Sequence, residues 1–229
     1  MGKLIVIDGL DASGKQTQCE LLFAAMKARG ENVMKISFPN YDDPSSELVK
    51  MYLRGEFGND PSDVNAYMAS SFYAVDRCAS YLKYWKSFYE GGGTVIADRY
   101  TTSNAIHQGV KLSPGERREY FDWLYEYEFG RLGLPKPDTV IFLDVLPEVS
   151  LKLMEGRKNK IDNSESRDIH EASKKYLFDC HEAALEAADR LGWIRVNCVR
   201  EGQIRKIEDI SREVIKIAAG TSGASAPSV

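Results

Sequence analysis

With 229 residues, 43% of them hydrophobic, the chain is long enough to bury a full core and is of ordinary size for one domain. A net charge of −4 excludes the basic footprint of a general nucleic-acid binder, and no apolar run approaches the roughly 20 residues that cross a bilayer. The four cysteines, Cys19, Cys78, Cys180 and Cys198, lack metal-ligand spacing and read as reduced, mostly packing thiols of a cytoplasmic protein.

The first apolar run, Leu4-Ile5-Val6-Ile7, predicts a buried strand, read as core rather than as a secretion signal. It stops at Gly9-Leu10-Asp11-Ala12-Ser13-Gly14-Lys15, a small-residue loop that opens a helix predicted over 16–29. Such a loop aims several backbone N–H groups at one point, and the helix N-terminus adds partial positive charge. Lys15 then reaches the outer phosphates of a nucleotide, so residues 9–17 are the candidate ATP-binding segment. The general pattern places Ser or Thr directly after the lysine to hold magnesium. Here Gln16 stands there and the hydroxyl follows at Thr17, which leaves the metal to Thr17 or to carboxylates and water. A Gly-rich turn with a surface lysine is the plain alternative, and the strand before and helix after weigh against it.

Further strands are predicted at 33–37, 94–97, 139–143 and 194–198. A long helix over 62–90 ends at Gly91-Gly92-Gly93, and Ser113-Pro114-Gly115-Glu116 reads as a capping box opening a helix to about 129. Helices over 147–156, 167–191 and 203–219 follow. The alternation implies an α/β fold, a parallel five-stranded sheet with helices on both faces; the phosphate loop makes it of P-loop NTPase type, and the basic, polar segment 156–167 is read as a short lid. Residues 1–219 form a single domain in this reading, with the lid at about 156–167, and the small, polar stretch 220–229 is a disordered tail.

Ligands sit at the carboxyl ends of such strands, so Phe38-Pro39 and Asp98-Arg99-Tyr100 should open onto the cleft of Lys15. Asp98 suits magnesium, directly or through water, and Arg99 suits a phosphate. A structural ion pair is the alternative for Asp98 and Arg99.

At this point the chain resembles the thymidylate kinase family, the P-loop kinases that phosphorylate dTMP to dTDP with ATP. The resemblance rests on residues 9–17, on Phe38-Pro39, on Asp98-Arg99-Tyr100 followed by Ser103-Asn104 and Gln108-Gly109, and on Gly133-Leu134-Pro135-Lys136-Pro137-Asp138 before a strand. It implies ATP and dTMP as partners, Mg2+ as cofactor and a homodimer packed through helices, to which the aromatic face of 62–90 could contribute. Asp11 then contacts the acceptor's sugar and phosphate region, and Arg99 grips its phosphate. Tyr73 and Arg77, one turn apart on one helix face, stack on the pyrimidine and donate to its edge. Phe38 packs near the base, and Ser103 and Asn104 read its other edge, with Gln108 also in the substrate set. The alternatives are that Tyr73 is core, that Arg77 pairs with Asp76 or Glu90 on a solvated surface, and that Asn104 caps a helix.

With Ala12 and Ser13 in the phosphate loop, the resemblance leaves the catalytic arginine to the lid, where Arg157 and Arg167 are candidates and Lys158 and Lys160 helpers. On charge alone the lid segment is an ordinary solvated loop. After it, Asp168 and Glu171 touch magnesium or sugar, or simply favour a helix dipole. Two departures stand out. His107 replaces the family's usual Tyr or Phe beside the sugar, and the arginine that some members place just after Phe-Pro is missing at Asn40-Tyr41. Two rival functions remain: a nucleoside or nucleoside monophosphate kinase of other base preference, and a nucleotide switch. For the switch, Asn159-Lys160-Ile161-Asp162 has the guanine-reading letters but follows a helix instead of a strand.

Overall fold

The computed structural model describes residues 1–58, 60–154 and 174–220. Five apolar runs of four to seven residues would leave backbone groups unpaired in a core, and pairing side by side satisfies them. They form strands β1 (Lys3–Gly9), β2 (Val33–Ser37), β3 (Thr94–Asp98), β4 (Thr139–Asp144) and β5 (Ile194–Asn197). All pair in parallel, in the order β2-β3-β1-β4-β5. The central strand β1 therefore has β3 on one side and β4 on the other. Its registers Ile7 to Asp98 and Gly9 to Leu143 bring the Gly9 loop level with the ends of both neighbours.

Helices α1 (Lys15–Ala28) and α2 (Glu47–Leu53) are followed by α3 (Ala66–Ser80), α4 (Lys86–Glu90), α5 (Thr101–His107) and α6 (Pro114–Tyr125). The series closes with α7 (Pro147–Met154), α8 (Lys174–Leu191) and α9 (Ile207–Ala218). Alternate residues of β1 serve the two faces. Ile5 and Ile7 pack with Leu22 and Met26 of α1 and Val214 of α9. Leu4 and Val6 pack with Trp85 and Tyr100. A further cluster joins Ala105 and Ile106 of α5, Phe121 and Leu124 of α6, and Cys180 and Ala184 of α8. All four cysteines are free thiols and three are buried. No helix among the described residues is long and apolar enough to cross a membrane.

The five predicted strands stand where the sequence put them, and three helix expectations change. The helix expected over 62–90 is broken: a 3-10 turn at Pro61–Asp63, Asn65 capping α3 by accepting from the Met68 N–H, and a π-helical turn at Tyr81–Trp85 before α4. That widened turn accompanies the complete burial of Trp85, edge-on to Tyr81 at 4.6 Å. The helix from 114 keeps its capping box, with Glu116 Oε2 accepting from Ser113 N–H at 3.0 Å, and passes into a π turn at Glu126–Arg131. The helix expected from 203 starts at Ile207, because 203–204 turn back through Gly202 (φ +74°) to pair antiparallel with 199–200. The start of the helix expected at 167 and the lid at 156–167 lie outside the described residues, as does the tail from 221.

Candidate active site

Where β1 ends, the chain must turn at once into α1, and glycine permits it. A Cβ on Gly9 would meet the Leu143 carbonyl at 2.7 Å, and Gly14 caps α1 with φ +86°. Residues 11–17 line a cavity of about 390 Å³, together with Phe38, Pro39 and Tyr41 after β2, Asp98 at the end of β3, and Arg99 and Tyr100 after it. Tyr73 and Arg77 of α3, Ser103, Asn104 and His107 of α5, and Gln108 complete the wall. Gly9 and Leu10 stand behind it, and their carbonyls accept from Lys15 Nζ at 2.9 and 2.7 Å. Every predicted site residue among those described thus gathers in or directly behind one cavity. Arg157 and Arg167 lie outside the described residues, as do Lys158, Lys160, Asp168 and Glu171.

The phosphate-loop end is a chain of charges. Arg99 has a left-handed backbone (φ +67°), and its N–H donates to the Ile7 carbonyl at 3.1 Å. Its Nη2 donates to Asp11 Oδ1 at 2.5 Å, while Nη1 faces Ser103 Oγ at 3.1 Å and His107 Nε2 at 3.3 Å. Burial works against the guanidinium charge, but Asp11, Asp8 and Asp98 outweigh it and raise its pKa. A guanidinium only donates, so His107 Nε2 is the accepting nitrogen. Burial, then Arg99, lowers the His107 pKa to about 4, so the ring is neutral at pH 7.

The other end is a closed polar frame. Arg77 is fully buried, and its Nε and Nη2 donate to the two Glu128 oxygens at 2.7 and 2.5 Å. Nη2 also reaches Asn104 Oδ1 at 3.2 Å, and Thr101 Oγ1 donates to Glu128 at 2.6 Å. The solvated pairing with Asp76 or Glu90 is therefore not what forms. Asp76 instead accepts from Asn40 N–H and Ser45 Oγ, which ties the loop after β2 to α3. Asn104 lies inside α5 and is not a cap. The Tyr73 ring stands edge-on to Tyr52 at 6.4 Å, and Gln108 Oε1 is buried with no hydrogen-bond partner among the described residues.

The Ser103 hydroxyl donates to Asp8 at 2.8 Å and meets Arg99 at 3.1 Å, so in this arrangement it is engaged on the Arg99 side of the cavity. Sequence reasoning missed Asp8, Glu128 and Tyr41. A carboxylate closing an apolar strand signals Asp8. Glu128 lies 51 residues from Arg77, and no local pattern joins them. Thr17 and Asp98 place two hard oxygen donors on the wall beside Lys15, a set that fits a magnesium ion completed by phosphate and water. Among the described residues no group of three His, Cys, Asp or Glu side chains gathers to hold an ion by itself.

The thymidylate kinase family model matches residues 7–208. The chain is 34% identical over 169 residues to the thymidylate kinase of Mycobacterium tuberculosis, covering 73% of this chain and 77% of that one. It is 28% identical over 215 residues to that of Plasmodium falciparum, covering 94% and 89%. A solved thymidylate kinase structure from Candida albicans superposes with a TM-score of 0.67 at 20% identity, over 96% of this chain and 92% of that one, and shares the fold.

Proposed function

The chain belongs to the thymidylate kinase family, and from that premise we propose how its cavity moves a phosphoryl group from ATP to dTMP. The reaction is phosphorylation of dTMP to dTDP, and the enzyme is a nucleotide-binding transferase. The observation that carries the residue assignment is one cavity lined both by Lys15 and Arg99 and by Tyr73, Arg77 and Gln108. ATP lies over residues 9–17 with its outer phosphates at Lys15. The acceptor phosphate takes the place beside Arg99 that Asp11 now occupies, and Asp11 turns to the sugar. The base stacks on Tyr73 near Phe38, Arg77 donates to its edge, and Asn104 and Gln108, whose Oε1 has no partner among the described residues, read the remainder. A wrong base would leave these buried groups unmatched.

Magnesium would be held by Asp98 and Thr17 with the nucleotide phosphates, and it supplies charge neutralisation between them. A lid arginine, Arg157 or Arg167, completes the cationic ring. Lys15 and Arg99 fix the two phosphates in line and stabilise charge as it develops, so positioning and electrostatics carry the catalysis. His107 needs no role as a base, since a phosphate acceptor is already ionised. We assign residues 1–219 to one cytoplasmic kinase domain with a lid at 156–167 and a tail beyond it.

The homodimer expected from the family finds support on α3 and its continuation. Met68, Val75 and Leu82, at seven-residue spacing, are 53, 49 and 69% exposed. Met68→Lys with Val75→Lys should convert a dimer to a monomer in sedimentation; an unchanged mass moves the interface elsewhere.

The decisive assay couples ATP consumption, with magnesium, to dTMP, dUMP, dCMP, dGMP, UMP and thymidine in turn. Strong turnover with dTMP, less with dUMP and none with thymidine is expected. Preference for another monophosphate would overturn the base-reading roles of Tyr73, Arg77, Asn104 and Gln108.

A further inference from the structure

Asp8 closes β1 before Gly9, has no exposed surface and does not line the cavity. Its carboxylate nonetheless gathers donors from three places. Gly9 N–H donates to Oδ1 at 2.8 Å, Thr102 Oγ1 to Oδ2 at 2.5 Å, and Ser103 Oγ to Oδ2 and Oδ1 at 2.8 and 3.0 Å. An ionised carboxylate only accepts, and a hydroxyl has a single proton. The Ser103 proton therefore points at Asp8, and the lone pairs of the same oxygen are left facing Arg99 Nη1, which donates to it at 3.1 Å. Asp8 itself stays 3.9 Å from that guanidinium.

We propose that Asp8 is a positioning residue for the acceptor phosphate: it sets the sense of the Ser103 hydroxyl so that Ser103 accepts from Arg99 and holds the guanidinium at the phosphate site. This rests on the assignment of Arg99 to that phosphate. The arrangement also joins the two substrates' halves of the site, because Asp8 and the ATP-binding loop are successive parts of one backbone. With Asp11 drawn away by an incoming sugar, Ser103 and His107 are what keep Arg99 aimed. An amide at position 8 keeps the shape and an acceptor for Gly9, but it puts donors opposite the two hydroxyls. The Ser103 proton is then held only by the 3.0 Å contact to the oxygen that Gly9 already uses, and when it turns toward Arg99 two donors face each other.

The test measures affinity for dTMP and for thymidine, which lacks the phosphate, by calorimetry on Asp8→Asn, Ser103→Ala, the double variant and Arg99→Ala. Asp8→Asn and Ser103→Ala should each weaken dTMP about tenfold, as loss of one hydrogen bond to a charged group does. Thymidine affinity and the KM for ATP should hold, and the double variant should be no worse than Ser103→Ala. A role in folding alone would weaken dTMP and thymidine together, and that result, or additive losses in the double variant, overturns the proposal. Should Asp8→Asn not fold, Ser103→Ala still decides: unchanged dTMP affinity, or equal loss for both ligands, overturns it. Arg99→Ala separates the two claims. If it leaves the preference for dTMP over thymidine intact, the phosphate assignment fails and takes this proposal with it. If it erases that preference while Asp8→Asn and Ser103→Ala do not, only this proposal fails.

Discussion

Arg77 and Arg99 reach the same cavity by opposite arrangements. Arg77, 1% exposed, is clamped in two-pronged fashion by Glu128, with Asn104 on the same nitrogen. Arg99, 15% exposed, meets Asp11 through a single nitrogen, and Asp11 belongs to the 11–17 segment that lines the cavity. Both pKa values are raised against burial, one by a dedicated partner and the other by three shared carboxylates. A clamped arginine is architecture, and the remaining N–H it can present to a base points in one fixed direction. An arginine on a replaceable carboxylate is a socket that an anion can fill.

The sharpest way to break the contrast is to remove the clamp. Glu128→Ala leaves a buried guanidinium uncompensated and should cost about 3–5 kcal/mol of stability. Chemical denaturation would show the midpoint fall, and a loss below about 1 kcal/mol would mean that water or a neighbour replaces Glu128. Replacing both partners, as Arg77→Met with Glu128→Leu, should recover much of that stability while dTMP affinity stays poor. Recovery of both would show that Arg77 does not touch the base.

At the socket the effect should fall on rate instead of stability. Arg99→Ala and Lys15→Ala should each lower turnover by on the order of 10²-fold or more, with melting temperatures close to wild type, as removal of charge-stabilising donors does. Near-wild-type rates in either variant would relocate the phosphate site. A large loss of stability in Arg99→Ala would place Arg99 in the same class as Arg77 and dissolve the comparison.

This division also marks what the sequence could carry. The five strands were legible because apolar runs of strand length bounded by turn residues leave little choice, and the phosphate loop because glycine spacing is local. The two short helices were not. Thr101-Thr102-Ser103-Asn104 has poor helix propensity, and α5 forms where Asp8 takes two of its hydroxyls and Ala105 and Ile106 are buried. α2 is likewise held from outside, with Tyr52 against Phe72 and Tyr73. The membership of the site was visible in Arg99, Tyr73 and Arg77. Glu128 was not, because an ion pair across 51 residues leaves no trace in local pattern, while Asp8 carried a local signal as the carboxylate near the end of an apolar strand.

The smallest predicted effect sharpens the socket. The neutral His107 ring accepts from Arg99, and its Nδ1 lies 3.7 Å from Cys180 Sγ, while Asp11, Asp8 and Lys15 also act on it electrostatically. Its folded pKa, about 4, lies below the usual value of about 6.5. Above pH 6.5 the ring is neutral folded or unfolded, and its contribution to stability is complete. Between 6.5 and 4 the unfolded chain binds a proton that the folded one refuses, so stability falls as pH falls, by at most about 1.4 kcal/mol per pH unit. Below 4 both forms carry the proton and this loss is finished. His107→Phe removes the term, so the gap between denaturation midpoints at pH 7 and pH 4.5 should narrow in the variant. Parallel acid loss in both proteins would mean that the ring accepts a proton in place, beside a guanidinium that had already swung away from it. Arg99 would then be mobile before any phosphate arrives, and the socket would be built by the substrate instead of waiting for it.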